Sequence, residues 1–179
     1  MADDAHHERT LVLLRHAKAE APAPGRPDVE RPLAARGRAD AAAAGVWLVQ
    51  HELLPDVVLC SAAVRTRQTW HDVQAGMTGS WSENGPTGSA PAVSYEPDAY
   101  EARPEDLLGL IRQVSPSAAT VLLIAHNPGI SLLSELLDPL RADPEGLRTS
   151  GLVVHRTAVS WARLGRGAAE IETRHTARG

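Results

Sequence analysis

Phenylalanine is missing from this chain, and cysteine occurs once, at Cys60. A single cysteine excludes an intramolecular disulfide and the Cys-rich structural zinc patterns, which need several thiolates. Aromatic residues make up 3% of the 179 positions, so a core must be built from alanine, valine and leucine. Lysine is nearly absent, and almost all the positive charge is arginine. Lys18 is the only lysine, and the formal net charge is −4. That balance predicts no nucleic-acid partner and no binding to an anionic membrane, because the overall field repels both. Any anion has to be caught by a local pocket. No apolar stretch reaches membrane-spanning length, and Met1–Arg9 is acidic rather than basic, so no signal peptide is expected and the protein reads as cytoplasmic. His6, His7, His51, His71, His155 and His175 show no ligand-like spacing with carboxylates or cysteines, and no metal or cofactor is expected. The length suits one domain over residues 1–179, with residues 1–9 as a flexible tail.

What is present is a regular alternation. Thr10–Leu14 (TLVLL) is a short continuous apolar run, the pattern of a strand buried on both faces. An alanine-rich segment from about Leu33 to Leu54 predicts a helix whose apolar face carries Ala43, Val46, Trp47, Leu53 and Leu54, with the Ala41–Ala44 run as filler. Asp56–Cys60 (DVVLC) reads as a second strand. Ser61 is placed to cap a helix to about Gln74. Met77–Ala92, rich in glycine, serine and proline, predicts a mobile excursion before a short strand at Val93–Tyr95. Pro104 opens a helix through Gln113, and Thr120–Ala125 (TVLLIA) is another buried strand. Asn127 as cap and Pro128 as first helical residue start a helix to about Leu137. Leu152–Leu164 and Ala169–Arg174 read as closing strands. This order predicts a three-layer α/β/α fold with a mostly parallel central sheet.

The chemistry lies in where arginine and histidine fall. Arg15 and His16 follow the first strand, Arg65 lies near the start of the helix after the second, and His126 follows TVLLIA. Carboxyl ends of strands form the ligand crevice of an open α/β sheet, so these elements deliver two arginines and two histidines to one edge. Helix starts near Ser61 and Asn127 add backbone N–H groups. Arginine clamps phosphate oxygens bidentately, and a neutral imidazole can attack phosphorus or donate to an oxygen. Cys60, at a strand end before a helix with an arginine, is a second candidate nucleophile. A cysteine phosphatase needs five residues between Cys and Arg, whereas four separate Cys60 from Arg65, so a buried core thiol is expected.

LLRHAK (Leu13–Lys18), ERPLAARGR (Glu30–Arg38), SAAVRTRQT (Ser61–Thr69) and AHNPG (Ala125–Gly129) together resemble the histidine phosphatase superfamily, and within it the short SixA-like phosphohistidine phosphatases. The resemblance spans about the first three quarters of the chain. It implies a phosphoglycerate mutase-like fold and a phosphoryl group passed to His16 and then to water. It further implies Arg15 and Arg65 on the phosphoryl oxygens, His126 stabilising the group in flight, and Glu101 of DAYEAR where many members place a proton donor. Asn127 joins the expected phosphate-binding set. Ala17 stands where the family usually has glycine, so its methyl is expected to take room near the phosphate. Arg31 and Arg36 are expected to pair with carboxylates framing the pocket. The substrate implied is protein phosphohistidine. The alternatives are small phosphate monoesters, with Glu101 as acid, or a non-catalytic phosphate-binding regulatory module.

Overall fold

The computed structural model describes residues 7–79 and 90–179. Six strands form one sheet: β1 (Arg9–Arg15), β2 (Val57–Ser61), β3 (Ala92–Glu96), β4 (Thr120–Ala125), β5 (Gly151–Thr157) and β6 (Glu170–Thr176). Their spatial order is β3-β2-β4-β1-β5-β6. β1, β2, β3 and β4 pair in parallel, while β5 and β6 add to one side antiparallel. The expected α/β fold with a mostly parallel sheet is therefore what forms.

The connections explain the three layers. From β1 the chain moves through α1 (Ala35–Gln50) to β2 and through α2 (Val64–Gly79) to β3, then reverses through α3 (Pro104–Arg112) to β4. Parallel crossovers are right-handed, so reversing the direction of travel switches the helix to the other face. α4 (Gly129–Leu137), which leads from β4 to β5, joins α3 there. β1 shows the division residue by residue. Leu11 and Leu13 pack with Leu107 and Ile111 of α3 and Ile130 and Leu133 of α4. Val12 and Leu14 pack with Leu48 of α1 and Trp70 and Val73 of α2. All four β1 residues are fully buried, which is why the run reads as continuously apolar rather than alternating.

Several boundaries differ from the expectations. α1 ends at Gln50, so Leu53 and Leu54 lie beyond it. Its buried face is Gly37, Asp40, Ala41, Ala44, Gly45 and Leu48, not the stripe of Ala43, Val46 and Trp47. Size, not hydrophobicity, chooses that face. A methyl at Gly45 would lie 2.0 Å from the Val73 carbonyl oxygen, and one at Gly76 2.0 Å from that of Ala42, so α1 and α2 touch backbone to backbone. The Ala41–Ala44 run belongs in part to this contact. α2 extends past Gln74 to Gly79; of the expected excursion Met77–Ala92, residues 77–79 are helical, Ala92 begins β3, and residues 80–89 lie outside the described set. In the expected N-terminal tail, Arg9 already belongs to β1, and residues 1–6 are outside the described set. The first closing strand stops at Thr157, and a 3-10 turn at Trp161–Arg163 follows, its indole N–H donating to Ala118 O at 2.8 Å.

Candidate active site

Parallel register brings the two histidines together. Arg15 pairs with Ala125 across β1 and β4, so the next residues out, His16 and His126, emerge side by side from the carboxyl ends of adjacent strands. The His16 amide continues the ladder by donating to Ala125 O at 3.1 Å. The ring centroids lie 5.2 Å apart, tilted by 55°. β2 pairs with β4 on the far side, Cys60 opposite Ile124, which sets Ser61 next to His126. The Ser61 hydroxyl and His126 Nε2 are 2.7 Å apart.

The His16 tautomer follows from its partner. Nδ1 lies 2.8 Å from the carbonyl oxygen of Ala17, and a carbonyl can only accept, so Nδ1 carries the proton. Nε2 then holds the lone pair, the Nδ1 bond being the ring's one hydrogen bond among the described residues. Burial pushes the His16 imidazole down to about 4. The Ala17 hydrogen bond opposes the shift, and the Arg65, Arg15 and Arg31 charges add to it. His126 is lowered to about 3, mainly by burial and then by His16 and Arg65. Both rings are neutral at pH 7, the state in which an imidazole is a nucleophile.

The two arginines are held from opposite sides. Arg65, in the first turn of α2 and 5% exposed, donates through Nη1 to Asp28 O at 2.8 Å and through Nη2 to Asp28 Oδ2 at 3.0 Å. Asp28 also accepts from Tyr100 Oη at 2.7 Å and from Arg31 Nη2 at 2.9 Å. The Tyr100 hydroxyl above all, then Arg31 and Arg65, holds the Asp28 carboxyl well below the usual range. Arg15 instead donates through Nη1 to the Leu147 carbonyl at 3.0 Å. That carbonyl also accepts from Asn127 Nδ2 at 2.9 Å, while Ser131 Oγ donates to Asn127 Oδ1 at 2.5 Å and accepts from Leu147 N at 2.9 Å. Each guanidinium keeps further N–H groups for an anion, since each bond uses one hydrogen of an Nη group. The centre is a cationic pocket in a chain of net negative charge.

Arg15, His16, Arg65 and His126 thus converge. Arg67, two residues on, points elsewhere and lies over the Tyr95 ring at 4.8 Å. Glu101 is exposed, has φ 54°, and lines a groove with His126. Neither Ser61 nor Asn127 is the expected cap: Ser61 ends β2, the residue before α4 is Pro128, and the Asn127 amide is committed to Leu147 and Ser131. Ala17 is fully buried in the apolar cluster under α1 and α2, so its methyl fills core rather than phosphate space. Its amide donates to Thr69 Oγ1 at 3.1 Å. Arg31 frames the pocket through Asp28, whereas Arg36 reaches only the buried Asp40, at 3.9 Å. Cys60 is fully buried and its thiol is pushed up to about 12, mainly by burial, leaving no thiolate for chemistry. Sequence reading missed Asp28, Tyr100, Ser131 and Leu147. Only Asp28 carried a signal, as the acid flanked by proline and valine just before the ERP motif.

The comparisons with known proteins point one way. The model of the histidine phosphatase superfamily (branch 1) matches residues 11–83. An uncharacterised protein of Mycobacterium tuberculosis is 32% identical over 173 residues, covering 92% of this chain and 100% of that protein. A candidate phosphohistidine phosphatase SixA from Nakamurella multipartitia is 32% identical, with 95% of this chain and 96% of that one covered at a TM-score of 0.76. A candidate SixA from Agrobacterium tumefaciens is 29% identical, with coverages of 93% and 97% and the same TM-score.

Proposed function

We propose that this chain, which belongs to the histidine phosphatase superfamily and is a histidine-nucleophile phosphatase, uses His16 as its nucleophile and acts on protein phosphohistidine. The observation that carries the reading is the hydrogen bond from His16 Nδ1 to Ala17 O, which leaves Nε2 unprotonated beside two arginines. The substrate class is the one named for the similar SixA structures.

In the first step the Nε2 lone pair attacks phosphorus, and the bond from phosphorus to the substrate nitrogen breaks. The electron pair leaves with the substrate ring, whose other nitrogen is already protonated, so it departs as neutral imidazole. In the second step water attacks the phosphoryl group on His16; the phosphorus–Nε2 bond breaks, its electron pair returns to Nε2, and the water proton is released. Arg15 and Arg65 stabilise the equatorial oxygens, where charge grows in the transition state. His126, braced by Ser61, contacts the group in flight. Asp28 and Leu147 position the arginines without touching substrate.

An imidazole leaving group protonates near neutral pH, its reference pKa being about 6.5, so it makes a modest demand on an acid. Exposed Glu101 need donate nothing to such a group, whereas expelling an alkoxide from a sugar phosphate requires a proton donor. A panel of phosphohistidine protein, aryl phosphate and sugar phosphates tests the assignment. The highest kcat/KM is expected for phosphohistidine and the lowest for sugar phosphates; a sugar phosphate at the top would overturn it.

A further inference from the structure

We propose that the groove leading away from His126 between the starts of α3 and α4 is a leaving-group subsite that takes a flat, largely apolar ring. The inference rests on the phosphate pocket proposed above and adds what lies on the other side of the scissile bond. The groove has a volume of about 310 Å³. Ala102, Pro104, Pro128 and Leu132 supply its walls, and His126 links it to the pocket. Leu132 is 44% exposed and, of the exposed large apolar side chains among the described residues, it is the one that borders this site.

The polar groups nearby leave the groove apolar. Asn127, which also borders it, has its amide bonded to Leu147 O and Ser131. Arg103 is turned to its own helix, its Nε 3.2 Å from Asp106 Oδ2. Glu101 is the remaining charged side chain at the rim and has no hydrogen-bond or ion-pair partner among the described residues. A ring bearing one N–H, with an apolar body, matches this arrangement: the body meets Pro128 and Leu132, and the N–H can donate to the Glu101 carboxylate.

The groove is also preformed. A methyl on Gly129 would sit 2.1 Å from Ala102 O, so the α4 start rests directly on the backbone of the 101–104 turn. Glu101 holds a left-handed φ of 54° on that turn. A volume near 300 Å³ is at the small end of ligand pockets and accommodates a ring with its linker. Glu101 thereby gains a role distinct from proton donor to an alkoxide, namely acceptor for the ring N–H of the departing group.

Binding of two non-hydrolysable phosphonates to the full chain tests this without turnover. Benzylphosphonate and methylphosphonate share the anionic head and differ by a ring. Calorimetry on the parent is expected to show benzylphosphonate bound roughly tenfold more tightly, the return on partly burying one ring. In Leu132→Ser the preference is expected to fall to about threefold or less with methylphosphonate affinity unchanged, and Leu132→Met is expected to restore it. Equal affinities in the parent, or an undiminished preference in Leu132→Ser, would overturn the subsite while leaving the phosphate pocket standing. Failure of both phosphonates to bind the parent would overturn the pocket itself, and the subsite with it.

Discussion

The two walls of the pocket hold an arginine each, and they do so by different physics. On the α2 wall, Arg65 is fixed by the Asp28 carboxylate, with Tyr100 and Arg31 on the same acid. On the β5 side, Arg15 is fixed by one backbone carbonyl, Leu147, inside a closed ring of neutral bonds through Asn127 and Ser131. A carboxylate partner orients strongly but removes part of the cation's charge and responds to salt. Asp28 is about half exposed, which exposes that wall to screening. A carbonyl partner leaves the full charge for the substrate and is indifferent to salt. Arg15 is thus the stronger undiluted charge, and Arg65 the more tightly oriented one.

Removing an arginine breaks the comparison most severely. Arg65→Ala is expected to reduce kcat/KM for an aryl phosphate about 10²–10³-fold, the scale of one transition-state anion donor. Arg67→Ala should change it less than about threefold, since that side chain lies over Tyr95. Steady-state kinetics on both variants checks the contrast, and a larger loss at Arg67 would reverse the assignment.

Loosening each wall separately sharpens the difference. Asp28→Asn keeps a hydrogen-bond acceptor for Arg65 but removes the charge, and is expected to raise the inhibition constant for inorganic phosphate about tenfold. It should also steepen the salt dependence of that constant, because the pocket then carries one more net positive charge. Ser131→Ala opens the neutral ring behind Leu147 and is expected to raise the same constant about threefold, with salt dependence unchanged. Inhibition by phosphate measured at two ionic strengths distinguishes the two walls.

The smallest effect concerns pH and stability. His16 and His126 are depressed to about 4 and about 3. The unfolded chain, with histidines near 6.5, therefore binds more protons between roughly pH 4 and 6.5, and stability falls as pH drops through that window. Each ring is expected to remove on the order of 1–2 kcal/mol by pH 5. Urea unfolding of the parent and of His126→Ala at pH 7.5 and 5.0 should show the smaller acid loss in the variant.

Much of the pocket was legible because strand ends are marked in sequence. TLVLL and TVLLIA are each buried on both sides, and each stops at a polar residue, so Arg15, His16 and His126 announce the crevice by position alone. The partners behind them were not legible. Asp28 meets Arg65 across 37 positions and Tyr100 across 72, from a loop whose course no periodicity reveals. Leu147 acts through its carbonyl, which side-chain identity does not disclose. The α1 face failed for a related reason: hydrophobicity marked Trp47, but the fit of Gly45 and Gly76 against opposing backbone decided what was buried.

The most direct test of the central proposal is to trap the phosphoenzyme. The chain is mixed with a radiolabelled phosphohistidine protein and quenched in alkali, where phosphohistidine survives and phosphoserine does not, and the labelled peptide is sequenced. His16 as nucleophile predicts label on His16 alone, lost in His16→Ala together with turnover. Label on His126, or turnover in His16→Ala above a few per cent of the parent, would contradict it.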